Sequence, residues 1–487
     1  MRYHPAAVFA LGFLARAWLI HSYPILFGGD SITRLVHHDR ILIAYQLPAL
    51  QASIHLLMRL REDPILARYW MAVIGAAAGV AFYYLAAGVI GRPGAFPAAL
   101  LFASNPFLVA HSTVPYQEIL MVMTLFCAFH YRSAGHNLAA GLALGVACLT
   151  RYEAWAACPV LIAAHVIERG RRPVEIVKAL ALFGWAPLGW MLLQGGVAPA
   201  GTYVIEGPVS AARLVRYVYL GWITVKFTPV VVTALGALGL WRALRQRMLL
   251  GPRFRILAAF FALFLLAILF SAHGVDPDPE RFVTAREAHL PVAALILLAG
   301  IGLARLPRYR APLAAAGVVL GLWGAARFLE RETAEPHLRL SYDLARYLDG
   351  ALGSQQTALL LVASIPPGGV DVFLERARRT GGEANAANAR RLLEREAATA
   401  PDFQRTWVHS RVARDRLWGL VSAAMSAPAR RRQLAAAPPP DWIVVWSDFA
   451  PTDPDEARYY EMAKASGPPV ETLRAGALAA TVYRIRR

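Results

Sequence analysis

ILFGGDSITRLVHHDR, residues 25–40, begins at the end of the first long apolar run and sets a carboxylate, Asp30, two glycines beyond it. A charge at the edge of a hydrocarbon layer is costly, and it is kept there for topology or for chemistry. Working outward, 57 % of the 487 residues are hydrophobic and only 17 % are charged. That balance excludes an ordinary soluble domain and indicates a polytopic membrane protein. The formal net charge of +18 does not call for nucleic acid, because the arginines sit mostly in short loops between apolar runs, as the positive-inside rule requires. Cys127, Cys148 and Cys158 all lie within apolar segments, so neither a disulfide framework nor a CxxC metal motif is expected. The N-terminal run lacks a small-residue cleavage site and reads as an uncleaved first span.

Taking about 20 apolar residues per span, spans are expected at 6–27, 68–90, 95–110, 118–131, 137–150, 155–168, 174–193, 217–240, 256–272, 288–304 and 312–328. About eleven spans with a cytoplasmic N-terminus put every Arg-bearing short loop inside, among them ERGRRPVEIVK (168–178) and ARLPRYR (304–310). The acidic residues then gather on the outer side. Within the outer loop 28–67, LPALQASIHLLMRL (47–60) is amphipathic and too short to span, so it is expected to lie in the interface.

Beyond about residue 330 the pattern changes. HLRLSYDLARYLDGAL (337–352) and ARYYEMAKASG (457–467) have helical spacing, whereas TALLLVAS (357–364), DWIVVWSD (441–448) and ALAATVYRIRR (477–487) read as strands. EANAANARRLLEREAATA and SAPARRRQLAAAPPP are biased toward Ala, Arg and Pro and read as helix plus loop. The expected organisation is a mainly α, polytopic helical bundle over 1–330 followed by a small extracytoplasmic α/β domain over 331–487.

Asp30 is open to two readings. It can cap the helix that follows, with Gly28 and Gly29 supplying the turn, or it can serve chemistry. Other charges fall at the same expected level: Arg68 opens span two, Glu118 opens span four, Arg151 and Glu153 lie between spans five and six, and Arg281 precedes span ten. Each arginine taken singly reads as a snorkelling anchor; as a set they suit an anionic group arriving at the bilayer surface. Tyr116 and Tyr152 neighbour these charges and are candidates to line a substrate pocket. His37, His38 and Asp39 are weak metal candidates, because adjacent side chains on a helix point in different directions.

GGD after span one, the Arg of ILARYWMAVIG, PYQE before span four, LTRYEAW and a late ERF resemble, in that order, the polytopic glycosyltransferases of GT-C fold. Within them the sequence is most similar to protein O-mannosyltransferases and the aminoarabinose transferases of lipid A. The resemblance implies transfer of a sugar from a polyprenyl-phosphate carrier, with inversion, to a glycan, lipid or protein hydroxyl outside the cytoplasm of a bacterial inner membrane. It makes Asp30 the general base and Glu118 a second catalytic carboxylate, and matches Arg68 and Arg281 to arginines of the family; with Arg151 these are the expected donor-phosphate ligands, since Arg grips phosphate oxygens with two donors. It leaves open whether a divalent ion takes part. One departure stands out: Ser31 occupies the place where O-mannosyltransferases carry a second acid. The competing readings are a lipid-linked glycan transporter or flippase, which would carry repeats and charges at the midplane, and a non-catalytic membrane scaffold.

Overall fold

The computed structural model describes residues 3–39, 41–42, 47–194, 211–247, 251–270, 287–362, 401–410, 416–421, 439–451 and 454–485. In chain order the helices are α1 (His4–Ser22), α2 (Gly29–Val36), α3 (Pro48–Leu60), α4 (Pro64–Ile90), α5 (Arg92–Ser104), α6 (Pro106–His111), α7 (Glu118–Ser133), α8 (Asn137–Cys148), α9 (Ala157–Arg169), α10 (Pro173–Phe183), α11 (Trp185–Gln194), α12 (Ala211–Lys226), α13 (Val230–Arg245), α14 (Pro252–Phe270), α15 (His289–Ala304), α16 (Arg310–Thr333), α17 (Pro336–Ala351), α18 (Pro401–His409) and α19 (Pro454–Ala465), with a 3-10 turn at Tyr152–Ala156. The strands are β1 (Ala358–Val362), β2 (Leu417–Val421), β3 (Trp442–Trp446), β4 (Glu471–Ala475) and β5 (Leu478–Arg484). Two compact units form: Met1–Tyr23 with His38–Leu329, and Pro24–His37 with Glu330–Arg487.

In the first unit α4 packs against α1, α5 and α7, and α13 packs along α15. Small residues make these approaches possible, because lipid supplies no hydrophobic drive and helices must gain contact instead. A Cβ on Gly239 of α13 would stand 1.8 Å from the Leu298 carbonyl oxygen of α15, and one on Gly302 would stand 2.6 Å from that of Leu235. The expected surface helix forms as α3, burying Leu50, Ile54 and Met58 on one side while Leu56 and Leu60 stay exposed on the other.

Length and composition single out fewer spans than the eleven expected. Among the described residues α1, α4 and α16 are long and apolar enough to cross a membrane, and α10 with α11 qualifies only as a pair bent by 68°. α8, α15 and the Phe254–Ile268 part of α14 are apolar but shorter. Two further runs read as single spans are broken. The 95–110 run stops at Asn105, whose side chain accepts from the amides of Phe107 and Leu108 at 3.1 and 3.2 Å and starts α6 afresh. The 217–240 run splits before Pro229, which has no N–H to continue a helix and precedes α13 as its cap.

The second unit is built on a five-stranded sheet of order β2-β1-β3-β5-β4. β1 runs parallel to β2 and β3, and β5 runs antiparallel to β3 and β4. Leu360, Leu361, Val444, Trp446 and Val482 are fully buried in it, and α17 contributes Leu340, Leu344 and Leu348. α2 packs on α18 in the same unit. The Leu26 amide donates to His409 Nε2 at 3.3 Å, which ties the segment leaving α1 to α18. The segment EANAANARRLLEREAATA and most of SAPARRRQLAAAPPP lie outside the described residues.

Candidate functional site

At the end of the first unit where α7 begins, two arginines fix the loop before Glu118. Arg16, buried in α1, donates through Nε to Ser112 Oγ at 2.5 Å and through Nη1 to the carbonyls of Gly12 and Ala103 at 2.8 and 3.1 Å. Arg68 is 1 % exposed in the second turn of α4. Its Nε donates to the Thr113 carbonyl and its Nη2 to that of Tyr23, both at 2.9 Å. The exit of α1, the start of α4 and the 112–117 loop are thereby joined by side chain to backbone bonds.

Glu118 follows as the first residue of α7 and is fully buried. Such a carboxylate is tolerable only when bonded, and it accepts from Arg151 Nη1. Arg151 stands on the turn after α8, and its Nε donates to both Glu153 oxygens at 3.0 and 2.9 Å. Burial would lower the pKa of Arg151, but the charges of Glu153, Glu118 and Glu287 outweigh it and raise that pKa well above the ordinary value. One guanidinium is therefore held by two carboxylates and feels the charge of a third. Beside the cluster the Tyr152 hydroxyl accepts from Trp190 Nε1 at 3.3 Å, and the Tyr116 ring lies 4.9 Å from that of His111. His111 Nδ1 in turn pairs with His289 Nε2 at 3.2 Å, both rings being buried.

Asp30 belongs to the second unit and is half-buried in the first turn of α2. The cap position is taken by Gly28, at φ 79°, with no side-chain cap bond. Asp30 is therefore a first-turn acid, favoured by the helix dipole, and does not occupy the cap position. The adjacent Ser31 is buried, its hydroxyl donating to the Gly28 carbonyl at 2.8 Å and to that of Phe27. His37 also falls in the second unit, whereas His38 and Asp39 fall in the first. His38 Nε2 lies 3.5 Å from Glu62. Among the described residues no group of three or more His, Cys, Asp or Glu side chains is arranged to hold a metal ion. Arg281 lies outside the described residues.

The structure thus brings Glu118, Arg151 and Glu153 into contact, with Tyr152 next in chain. It adds Glu287, which sequence reasoning did not single out although it opens an apolar run just as Glu118 does. It also adds Arg16, which the rarity of charges inside spans could have flagged.

No protein-family model matches the sequence, and no curated protein does. Solved structures do match. ArnT from Cupriavidus metallidurans, bound to undecaprenyl phosphate and in the apo state, is similar with a TM-score of 0.53 and 13 % identity over 98 % of this chain and 97 % of that chain. The fold is that of the GT-C glycosyltransferases. The arabinofuranosyltransferase AftD from Mycobacteria is also similar, with a TM-score of 0.47 and 14 % identity, covering 100 % of this chain and 40 % of that chain. A GT-C fold carrying these apolar helices makes the chain an integral membrane protein.

Proposed function

We propose that this protein is a membrane glycosyltransferase that moves a sugar from a polyprenyl-phosphate carrier to an acceptor hydroxyl outside the cytoplasm. The observation that carries the reading is the cluster of buried Glu118 with the largely buried Arg151 and Glu153 at one end of a helical bundle with GT-C fold. Charges buried in a membrane bundle are retained for function by default. Likeness to an ArnT structure bound to undecaprenyl phosphate supports a lipid phosphate as donor leaving group. The topology in this proposal has the N-terminus in the cytoplasm of a bacterial inner membrane and about eleven crossings, the shorter apolar helices included, with residues 331–487 outside.

Roles are proposed residue by residue. Asp30 is the base that takes the acceptor proton, a contribution of about 10²–10⁴ in rate. Glu118 orients the acceptor, and Arg151, whose guanidinium orients Glu118, is a third ligand of the donor phosphate. Arg68 and Arg281 neutralise the departing phosphate. Tyr116, Tyr152 and Glu153 line the pocket. The test is transfer from radiolabelled polyprenyl-phosphate sugars by the purified protein. Asp30→Asn is expected to slow transfer by at least about 10²-fold. Undiminished transfer in that variant would remove Asp30 as the base, whereas no transfer by the wild type, with transport or scaffolding that survives Asp30→Asn, would favour a flippase or a scaffold over an enzyme.

A further inference from the structure

A second charged group lies at the other end of α7. Arg132 is fourteen residues from Glu118, so the two stand about 21 Å apart along the helix axis. There, in the first unit, a cavity of 330 Å³ opens between α4, α7, α9 and α14. Leu85, Val89, Phe129, Ile256 and Leu257 make its walls apolar, and Arg132 with Glu168 stands in its lining. The size is at the lower end of the range of small-molecule sites, about 300–1,000 Å³.

The charged pair is unequal. Arg132 is 8 % exposed, whereas the Glu168 side chain is 53 % exposed. Arg132 Nη2 donates to Glu168 Oε2 at 2.6 Å. Arg132 Nε is buried and makes no hydrogen bond among the described residues. An unsatisfied buried donor on a charged group is expensive, and a phosphate oxygen would satisfy it. A wholly anionic headgroup would meet repulsion from Glu168. A free phosphate would leave the apolar walls wet. One class satisfies every part: a phospholipid whose phosphate takes the Arg132 Nε–H, whose primary ammonium pairs with Glu168, and whose acyl chain fills the cavity.

We infer that this cavity, walled by Leu85, Phe129 and Leu257 beside the Arg132–Glu168 pair, binds a single zwitterionic aminophospholipid at the end of the bundle opposite Glu118. The purified full chain, delipidated and exchanged into detergent, would be titrated with phosphatidylethanolamine, phosphatidylglycerol and phosphatidylcholine, and bound lipid counted by native mass spectrometry. Phosphatidylethanolamine is expected to persist at one per chain, preferred over phosphatidylglycerol by roughly tenfold, the weight of one charge-assisted hydrogen bond. Glu168→Gln should erase that preference while a lipid is still held. Arg132→Gln and the cavity-filling Leu257→Trp should each release the lipid. Glu168 is half-exposed, so its substitution tests headgroup choice even where Arg132→Gln impairs folding. Equal retention of all three lipids, the mark of an annular layer only, would overturn the inference, as would a phosphatidylethanolamine preference unchanged in Glu168→Gln or a lipid still held by Leu257→Trp.

Discussion

The hydroxyl of Ser31 donates to the carbonyls of Phe27 and Gly28 from a buried position, so a carboxylate there would place a charge against two acceptors. This accounts for the absence of a second acid after Asp30. Ser31→Ala is expected to cost about 1 kcal/mol, the worth of a hydrogen bond, and Ser31→Asp distinctly more; thermal unfolding in detergent ranks the two. At the cluster, Arg151→Lys keeps the charge but loses the fork that holds Glu153 while reaching Glu118. Its transfer rate should fall at least as far as that of Glu118→Gln, and full activity in Arg151→Lys would show that only net charge matters. Glu118, Arg151 and Glu153 were legible because each borders an apolar run. The bond from Arg16 to Ser112 was not, since it joins residues 96 apart that only the packing of α1 brings together.

Among the elements, the close approach of α13 to α15 rests on Gly239. Gly239→Val is expected to destabilise the bundle by about 1–3 kcal/mol or more, because its side chain would meet backbone and cannot be accommodated by rotamer change. A lowered midpoint in thermal unfolding checks this, and an unchanged midpoint would mean that the helices are further apart than 1.8 Å allows. Apolar runs disclosed where helices lie but not where they break. Asn105, Gly184 (which separates α10 from α11) and Pro229 were all visible, yet each sits inside a run whose average hydropathy conceals it. Continuity of helix is decided by local backbone bonding, which composition does not record.

For the molecule as a whole, the α/β character of the tail was readable because β1, β3 and β5 are the three inner strands and present apolar runs. β2 and β4 were missed, and both are edges. An edge strand needs less apolar cover: LWGLV is interrupted by Gly419, and ETLRA carries Glu471 and Arg474 and is mostly unburied. That Pro24–His37, with Asp30, clusters with this sheet unit could not be foreseen, since it follows from α2 meeting α18 some 370 residues later in the chain. The claim on which everything turns is sugar transfer, and the direct measurement is single-turnover transfer from a radiolabelled polyprenyl-phosphate sugar by purified wild-type and Asp30→Asn protein at saturating donor. The expected result is transfer by the wild type, slowed at least about 10²-fold in the variant with donor binding intact. No transfer by the wild type, or movement of intact donor across the bilayer with no sugar transferred, would contradict it, and equal rates of transfer in the two proteins would remove Asp30 as the base.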